Sequence, residues 1–193
     1  YSRFAMGPKA NEEDLVRYAF ALFLNHDFAK SLEVANMGLK KNPRHAAFNR
    51  LAMYNNTDLK RFEEALKAAD VFFNECDKAD YSYLDYMYYG HLLEELKKYD
   101  EAVGQYEKAV ELDPTKTDLY KNISSAYEQK NDYKKAIGAY HKYYSSLEKE
   151  KQTPDLQFQL GRLYYGAGTQ PDSLTINAEE RKQALMSADS VFQ

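Results

Sequence analysis

The stretch from residue 83 to residue 140, YLDYMYYGHLLEELKKYDEAVGQYEKAVELDPTKTDLYKNISSAYEQKNDYKKAIGAY, carries one chemical pattern twice. An aromatic residue is followed by an apolar-small pair and another apolar residue, and then by alanine and aromatic positions. Adding 34 to each number of the first copy reaches an equivalent residue in the second. The paired positions are Tyr86 and Tyr120, Tyr89 and Ile123, Gly90 and Ser124, Leu93 and Tyr127, Tyr99 and Tyr133, Ala102 and Ala136, and Tyr106 and Tyr140. A fixed period of this length indicates an array of one small helical unit.

One aromatic position sets the register of the chain. It falls at Phe28, Phe62, Tyr99 and Tyr133. The separations are 34, 37 and 34 residues. This pattern, closed by Pro114, resembles the tetratricopeptide repeat (TPR), whose unit of about 34 residues is a helix-turn-helix. The resemblance implies an all-α fold, a right-handed superhelical solenoid of antiparallel helix-turn-helix repeats that binds other proteins.

The register predicts a single TPR domain over residues 1–193. The predicted repeats are 12–43, 44–79, 80–116 and 117–150, with an interrupted fifth unit over 154–193. The three extra residues of the 37-residue interval predict a longer loop near Cys76. In the fifth unit, Gly166-Ala167-Gly168 predicts the end of a helix, followed by an insertion of about eleven residues. In the fourth, Tyr143 replaces a small residue and Glu148 replaces the closing proline, so its second helix is expected to continue toward Lys151.

Both chain ends suggest an excerpt of a longer protein. Residues 1–7 are either the tail of a preceding helix or a frayed terminus. Asn11 or Asp14 is expected to cap the first complete helix. The last helix carries Leu185, Val191 and Phe192 without a polar capping helix, which terminal repeats normally need. We therefore expect a longer native chain, or an end covered by another chain, including a copy of itself.

The composition limits the possible partners. The chain has 193 residues, 44% hydrophobic and 29% charged, which is typical of a globular protein. Its net charge of −4 and the lack of a basic stripe argue against nucleic acid as the partner. No apolar run reaches the roughly 20 residues that span a bilayer. A single cysteine permits no internal disulfide, and both a cytoplasmic and a bacterial-envelope location fit.

Nothing in the sequence predicts catalysis, a cofactor or a metal site. The four histidines, His26, His45, His91 and His141, lack metal-ligand spacing. Cys76 has no neighbouring histidine that could activate its thiol. We therefore expect a non-enzymatic protein. A third possibility, that the parent polypeptide is an enzyme and this part recruits its substrate, is open.

The resemblance places the binding surface on the concave face, which the first helices of successive repeats line. The first-helix positions expected to be exposed on this face lie one, two and five residues after the leading aromatic slot. The predicted contact residues are Arg17, Phe20, Asn49, Arg50, Met53, Met87, Tyr88, His91, Lys121, Asn122, Phe158 and Arg162.

Two functions remain open for this surface. In the first, the groove binds a peptide or partner subunit, with apolar pockets for a side chain and arginines for a flanking carboxylate. A carboxylate clamp known in the family is suggested only by Lys121 and Asn122, which share one repeat. In the second, the face is an ordinary packed surface and the chain is a structural module that self-associates or docks onto a larger protein.

Overall fold

The structure is a computed structural model that describes residues 11–76, 80–169 and 177–192. Within these ranges the regular elements are α-helices and one short 3-10 helix, so the all-α prediction is confirmed. The helices are α1 (Glu12–Leu24), α2 (Phe28–Lys41), α3 (Ala46–Asp58), α4 (Phe62–Asn74), α5 (Tyr83–Glu95), α6 (Tyr99–Leu112), α7 (Leu119–Gln129), α8 (Tyr133–Ser146), α9 (Pro154–Thr169) and α10 (Ala178–Phe192). They form two compact units, Tyr1–Leu96 and Lys97–Gln193.

Consecutive helices pack as hairpins inside each unit. In the first unit α1 packs against α2 and α3 against α4, while α1 and α5 both contact α3. First helices of successive repeats therefore lie side by side. In the second unit α7 packs against α8, α8 against α9, and α9 against α10. Most helices bury one apolar stripe on their neighbours, as expected for stacked repeats, whereas α3, which contacts α1, α2, α4 and α5, buries residues on several faces.

The turn inside each of four repeats contains one residue with a left-handed backbone. These residues are His26, Lys60, Lys97 and Asn131, with φ between 57° and 59°. Each lies two positions before the register aromatic, so the turn geometry recurs at the same spacing as the sequence pattern. None is glycine, although the left-handed region costs other L-residues about 1–2 kcal/mol, and less for asparagine.

Asn11 caps the first helix, which confirms one of the two predicted candidates. Its side chain accepts a hydrogen bond of 2.9 Å from the Asp14 N–H. The Asp14 carboxylate in turn accepts one of 3.2 Å from the Asn11 N–H. This reciprocal pair satisfies two backbone donors that a helix start leaves without an intrahelical partner.

In each unit a buried serine links the two helices of one repeat. The serine lies on the second helix of the repeat in the first unit and on the first helix of the repeat in the second unit. In the first repeat the Ser31 hydroxyl on α2 donates to the Ala19 carbonyl on α1, at 2.8 Å. In the fourth repeat the Ser124 hydroxyl on α7 donates to the Ala136 carbonyl on α8, also at 2.8 Å. Both pairs occupy the same repeat positions with serine and alanine exchanged. Only small residues fit here, and either helix can supply the hydroxyl.

The glycines near the end of α9 permit close packing with neighbouring helices. The helix end predicted at Gly166-Ala167-Gly168 lies within one residue of the observed end, since α9 stops at Thr169, although all three residues are helical. A Cβ on Gly166 would lie 2.4 Å from the Tyr133 ring. A Cβ on Gly168 would lie 2.4 Å from the Leu185 side chain. The glycine signal therefore arises from helix contacts with α8 and α10.

The second helix of the fourth repeat ends earlier than expected. Helix α8 stops at Ser146, and a separate 3-10 turn follows over Lys149–Lys151. The Gln152 amide donates to the carbonyls of Tyr144 and Leu147, at 3.3 and 3.1 Å, which satisfies acceptors that the helix end leaves open. The loop after Cys76 at 77–79, the N-terminal segment 1–10 and the insertion at 170–176 lie outside the described residues.

Candidate functional site

Three predicted contact residues line one pocket in the first unit. Met87, Tyr88 and His91 project from α5 into a surface pocket of about 320 Å³. The other lining residues are Thr57, Asp58, Lys60, Phe62 and Glu95. The pocket therefore lies between the end of α3 and the outer side of α5, where two successive repeats meet.

Tyr88 is fixed at both ends of its side chain. Its ring stacks on the buried Tyr54 ring at 4.2 Å between centroids. Its hydroxyl donates a hydrogen bond of 3.0 Å to Asp58 Oδ2. Phe23 contacts both rings, at 5.5 Å from Tyr54 and 6.0 Å from Tyr88. This aromatic cluster continues to Phe20 on α1, whose ring is 44% exposed.

The charged groups of this pocket are shielded from water to different extents. Desolvation raises the pKa of Asp58, partly offset by the hydrogen bond from Tyr88. Desolvation also lowers the pKa of His91, which favours the neutral imidazole near pH 7. The pKa of Tyr88 is raised by desolvation and then by Asp58, so its hydroxyl remains a hydrogen-bond donor.

Arg50 lies in a structural network. Its guanidinium donates to both oxygens of Asp85, at 2.7 and 3.1 Å, and to the Asp80 carbonyl at 2.6 Å. Asp85 is 0% exposed and also accepts a 2.6 Å bond from the Tyr54 hydroxyl. The backbone and hydroxyl of Ser82 donate to it at 2.7 and 3.0 Å. This buried carboxylate therefore joins α3 to the start of α5.

Two further predicted residues of α3 are buried. Met53 is 0% exposed and belongs to the core of the first unit. Asn49 is 4% exposed, and its amide donates to the carbonyls of Pro43 and His45, at 2.8 and 3.1 Å. The expectation that these positions are exposed is therefore incorrect for α3, because α1 and α5 pack on its two sides. Arg17 on α1 is exposed and pairs with Glu13 at 3.0 Å.

In the second unit two predicted residues line a second pocket of about 330 Å³. They are Lys121 on α7 and Arg162 on α9. The remaining lining residues are Ser124, Ser125, Glu128, Tyr140, Leu156, Gln159 and Leu163. Arg162 donates to both oxygens of Glu128, at 2.5 and 2.9 Å. The Lys121 ammonium lies 5.2 Å from the centroid of the Tyr143 ring.

The other two predicted residues of the second unit lie outside this pocket lining. Phe158 on α9 is 56% exposed, and Asn122 on α7 is half-buried. Tyr140 lies at the base of the pocket and donates to the Leu156 carbonyl at 3.2 Å. Desolvation raises the pKa of Tyr140 to about 12, so it too remains a neutral donor.

Of the three apolar residues that the sequence indicated in the last helix, two are half-buried. Leu185 is half-buried and contacts Gly168 of α9, and Val191 is also half-buried. The side chain of Phe192 lies outside the described residues. The large exposed apolar residue of α10 is Met186, at 64%, which the sequence interpretation did not select.

Sequence reasoning missed the carboxylates that meet the predicted arginines. Asp85 had a local signal, since Ser82 and Asp85 have the spacing of a capping box, and the structure forms that box. Glu128 precedes Arg162 by 34 residues, one full repeat, which is the spacing of residues that face each other on successive first helices. Asp58 had no comparable signal.

The described part of the chain contains neither a membrane-spanning helix nor a cluster of side chains suited to a metal ion. Within residues 11–76, 80–169 and 177–192, no helix combines the length and apolar character needed to cross a membrane. The same ranges contain no cluster of three or more His, Cys, Asp or Glu side chains suited to a metal ion.

The family model and the first solved structure described below agree on the type of repeat. Residues 90–131 match the family model described as TPR repeat. No protein with a curated description matches the chain. Among solved structures, the C-terminal part of a TPR repeat-containing protein from Cytophaga hutchinsonii is 25% identical, with a TM-score of 0.70 over 92% of this chain. The chain spans 62% of that structure's length.

Two more distant structures share the fold. YrrB, described as a TPR protein with an unusual peptide-binding site, is 15% identical, with a TM-score of 0.68 over 97% of this chain and 89% of YrrB. MamA (41-end) from Desulfovibrio magneticus RS-1 is 15% identical, with a TM-score of 0.66 over 97% of this chain and 96% of its own. The repeat register and the helix hairpins show a solenoid of helix-turn-helix units, and the family model over residues 90–131 and the solved structures support a protein of the tetratricopeptide repeat type.

Proposed function

We propose that the chain is a non-enzymatic protein-interaction scaffold that binds a peptide segment of a partner on the first-helix side of its repeats. The observation that carries this proposal is the position of the two pockets described above. Each lies beside a first helix and is lined by side chains one, two or five residues after the leading slot. A concave site with a few polar groups and apolar walls is the usual form of a recognition surface.

Each unit also has an accessible phenylalanine among the predicted contact residues. Phe20 is 44% exposed in the first unit, and Phe158 is 56% exposed in the second. Large rigid rings with little rotamer entropy to lose are common energetic anchors of protein interfaces. We propose Phe20 and Phe158 as anchors for apolar side chains of the peptide.

The arginines contribute to this surface differently from the sequence expectation. Arg50 is fully engaged by Asp85, Asp80 and the Phe72 ring, whose centroid lies 5.1 Å from the guanidinium carbon. Arg162 is 50% exposed but already holds Glu128. A peptide carboxylate would have to displace an internal partner at either site. The proposal therefore relies on apolar anchors and treats Lys121 as the available cation of the second pocket.

The likeness to YrrB supports the class of partner. That protein's description names a peptide-binding site, and its fold matches this chain at a TM-score of 0.68. At 15% identity the likeness does not transfer individual contacts. It favours a peptide as the first type of ligand to test.

The test is a peptide selection on the full chain followed by matched substitutions. The purified chain is panned against a random twelve-residue phage library, and enriched peptides are measured by fluorescence anisotropy. Phe20→Ala is compared with Met37→Ala, an exposed apolar residue of α2. Phe158→Ala is compared with Leu112→Ala, which is 52% exposed on α6. Circular dichroism and thermal melting verify that all four variants remain folded.

We expect at least one of the two phenylalanine variants to weaken selected peptides about tenfold, as hot-spot residues do. Both controls should remain within about twofold of the parent chain. The proposal fails if no peptide is enriched over the bare support. It also fails if binding is insensitive to both phenylalanine variants and is lost in Met37→Ala or Leu112→Ala.

A further inference from the structure

The pocket of the first unit combines acidic and aromatic groups. Its rim carries the carboxylates of Asp58 and Glu95, and its walls include Tyr88, Phe62 and Met87. Negative charge beside ring faces is a combination that attracts ammonium and guanidinium groups, through Coulomb attraction and the ring quadrupole.

Neither carboxylate forms a salt bridge within the described residues. The ion pairs found there, with nitrogen and oxygen within 4.0 Å, include neither Asp58 nor Glu95. Asp58 receives a neutral donor, the Tyr88 hydroxyl, at 3.0 Å. Lys60 lines the same pocket, and His91 is held toward its neutral form. This arrangement leaves the pocket with two carboxylates and one ammonium group.

The pocket of the second unit has the opposite balance of charged groups. There Lys121 and Arg162 line the pocket with Glu128, which already binds Arg162 through both oxygens. The two pockets share two repeat positions, those of Tyr88 and His91 in the first and of Gln159 and Arg162 in the second, but their charged side chains give net charges of opposite sign. The sign of the charge in each pocket therefore depends on its own lining residues and not on the repeat fold.

We propose that the pocket lined by Asp58, Glu95 and Tyr88 binds a lysine or arginine side chain of the partner peptide. This inference rests on the proposed function and adds the chemistry of one recognised residue. The ligand cation would pair with Asp58 and Glu95 at the rim while its methylene chain lies against Met87 and the aromatic walls. Desolvation disfavours the charged form of the Asp58 carboxylate, and a bound cation would stabilise that form by adding positive charge beside it.

The direct test uses small probes and does not require a known peptide. The isotopically labelled full chain is titrated at pH 7.5 with N-acetyl-arginine amide and N-acetyl-lysine amide. N-acetyl-norleucine amide serves as the uncharged probe of similar length, and N-acetyl-glutamate amide as the probe of opposite charge. Amide shift changes in NMR spectra then report both the location and the dissociation constant of each probe.

We expect saturable shifts at residues 57–62 and 87–95 with a cationic probe, and a dissociation constant on the order of 1–10 mM for so small a ligand. Raising the salt concentration should weaken binding, because the rim charges are near solvent. The neutral and acidic probes should leave these residues unshifted.

Substitutions identify the charged partners. Asp58→Asn and Glu95→Gln preserve shape and remove one charge each, and each should weaken the cationic probe at least about threefold. Glu64→Gln is the control. It removes one exposed charge from α4 at a position that does not line the pocket, and it should leave the dissociation constant unchanged. Two independent rim variants keep the test informative if one of them perturbs the fold.

The outcomes separate this inference from the proposed function. Equal shifts with norleucine and lysine probes, or no saturable shift in the pocket, would overturn the inference even if selected peptides bind the first-helix face. Insensitivity to both rim variants would overturn it as well. Failure of the peptide selection with a positive cation titration would instead reject the peptide scaffold and retain the cation pocket.

Discussion

Arg50 in the first unit and Arg162 in the second form matching pairs with very different surroundings. Each arginine donates to both oxygens of a carboxylate on the first helix of an adjacent repeat. Arg50 is 28% exposed and its partner Asp85 is 0% exposed. Arg162 is 50% exposed and its partner Glu128 is 19% exposed. The same bidentate geometry therefore serves a buried link in one unit and a surface contact in the other.

The comparison shows that burial decides what an ion pair contributes. Asp85 has three further hydrogen-bond donors, so its charge is solvated by the protein. Removing a partner from such a site leaves a charge that water cannot reach. Glu128 retains access to water, and water can replace Arg162.

Replacement of Arg50 should be the most damaging change. Arg50→Ala is expected to lower the free energy of unfolding by about 2–4 kcal/mol, because Asp85 remains buried without a cation while Tyr54 and Ser82 still donate to it. Urea denaturation followed by circular dichroism measures this loss. An effect no larger than that of Arg162→Ala would show that the two pairs are equivalent despite their different burial.

Removal of one neutral donor from the same carboxylate should have an intermediate effect. Tyr54→Phe keeps the ring that stacks on Tyr88 and deletes the hydroxyl that lies 2.6 Å from Asp85. A hydrogen bond to a charged group contributes about 1.5–3 kcal/mol, and we expect a loss near the lower limit because other donors remain. The same urea experiment tests it, with Tyr144→Phe on α8 as the control. Equal losses in the two tyrosine variants would refute a special role for the buried carboxylate.

Of the two ion pairs compared, the exposed pair of Arg162 and Glu128 should contribute less to the free energy of unfolding. Arg162→Ala is expected to lower the free energy of unfolding by less than about 1 kcal/mol. The difference should shrink further in 0.5 M NaCl, where the Debye length falls to roughly 4–5 Å. The loss in Arg50→Ala should change little with salt. A salt-insensitive loss in Arg162→Ala would mean that Glu128 is less hydrated than its exposure implies.

Glycine at the left-handed turn position, which occurs in both units, should raise the free energy of unfolding slightly. Lys60→Gly is expected to stabilise the first unit by about 0.5–1 kcal/mol, because glycine adopts a positive φ without steric cost. Asn131→Gly should stabilise the second unit less, since asparagine tolerates this backbone. Lys67→Gly, inside α4, is the control and should destabilise by about 1 kcal/mol. Destabilisation by Lys60→Gly would show that side-chain contacts of Lys60 outweigh its backbone strain.

The sequence predicted the framework more fully than the surface. Aromatic and small positions at a fixed spacing were enough to predict the all-helical fold and its hairpins, because they report which residues pack inside a repeat. Exposure of Met53 and Asn49 could not be read in this way, because it depends on how closely adjacent first helices approach. The pairing of Arg50 with Asp85 could not be predicted from the sequence either. Asp85 lies 35 residues away, and it acts as both a helix cap and a counter-ion.

The two glycines of α9 have a consequence for the order in which the chain folds. Gly166 and Gly168 together lower the intrinsic helix stability of this segment by about 2 kcal/mol relative to alanine. The final turn of α9 therefore depends on Tyr133 and Leu185, which occupy the space that the missing Cβ atoms leave. Helices α8, α9 and α10 should accordingly gain hydrogen-exchange protection together, as one cooperative unit, and α9 alone should be a poor helix in water.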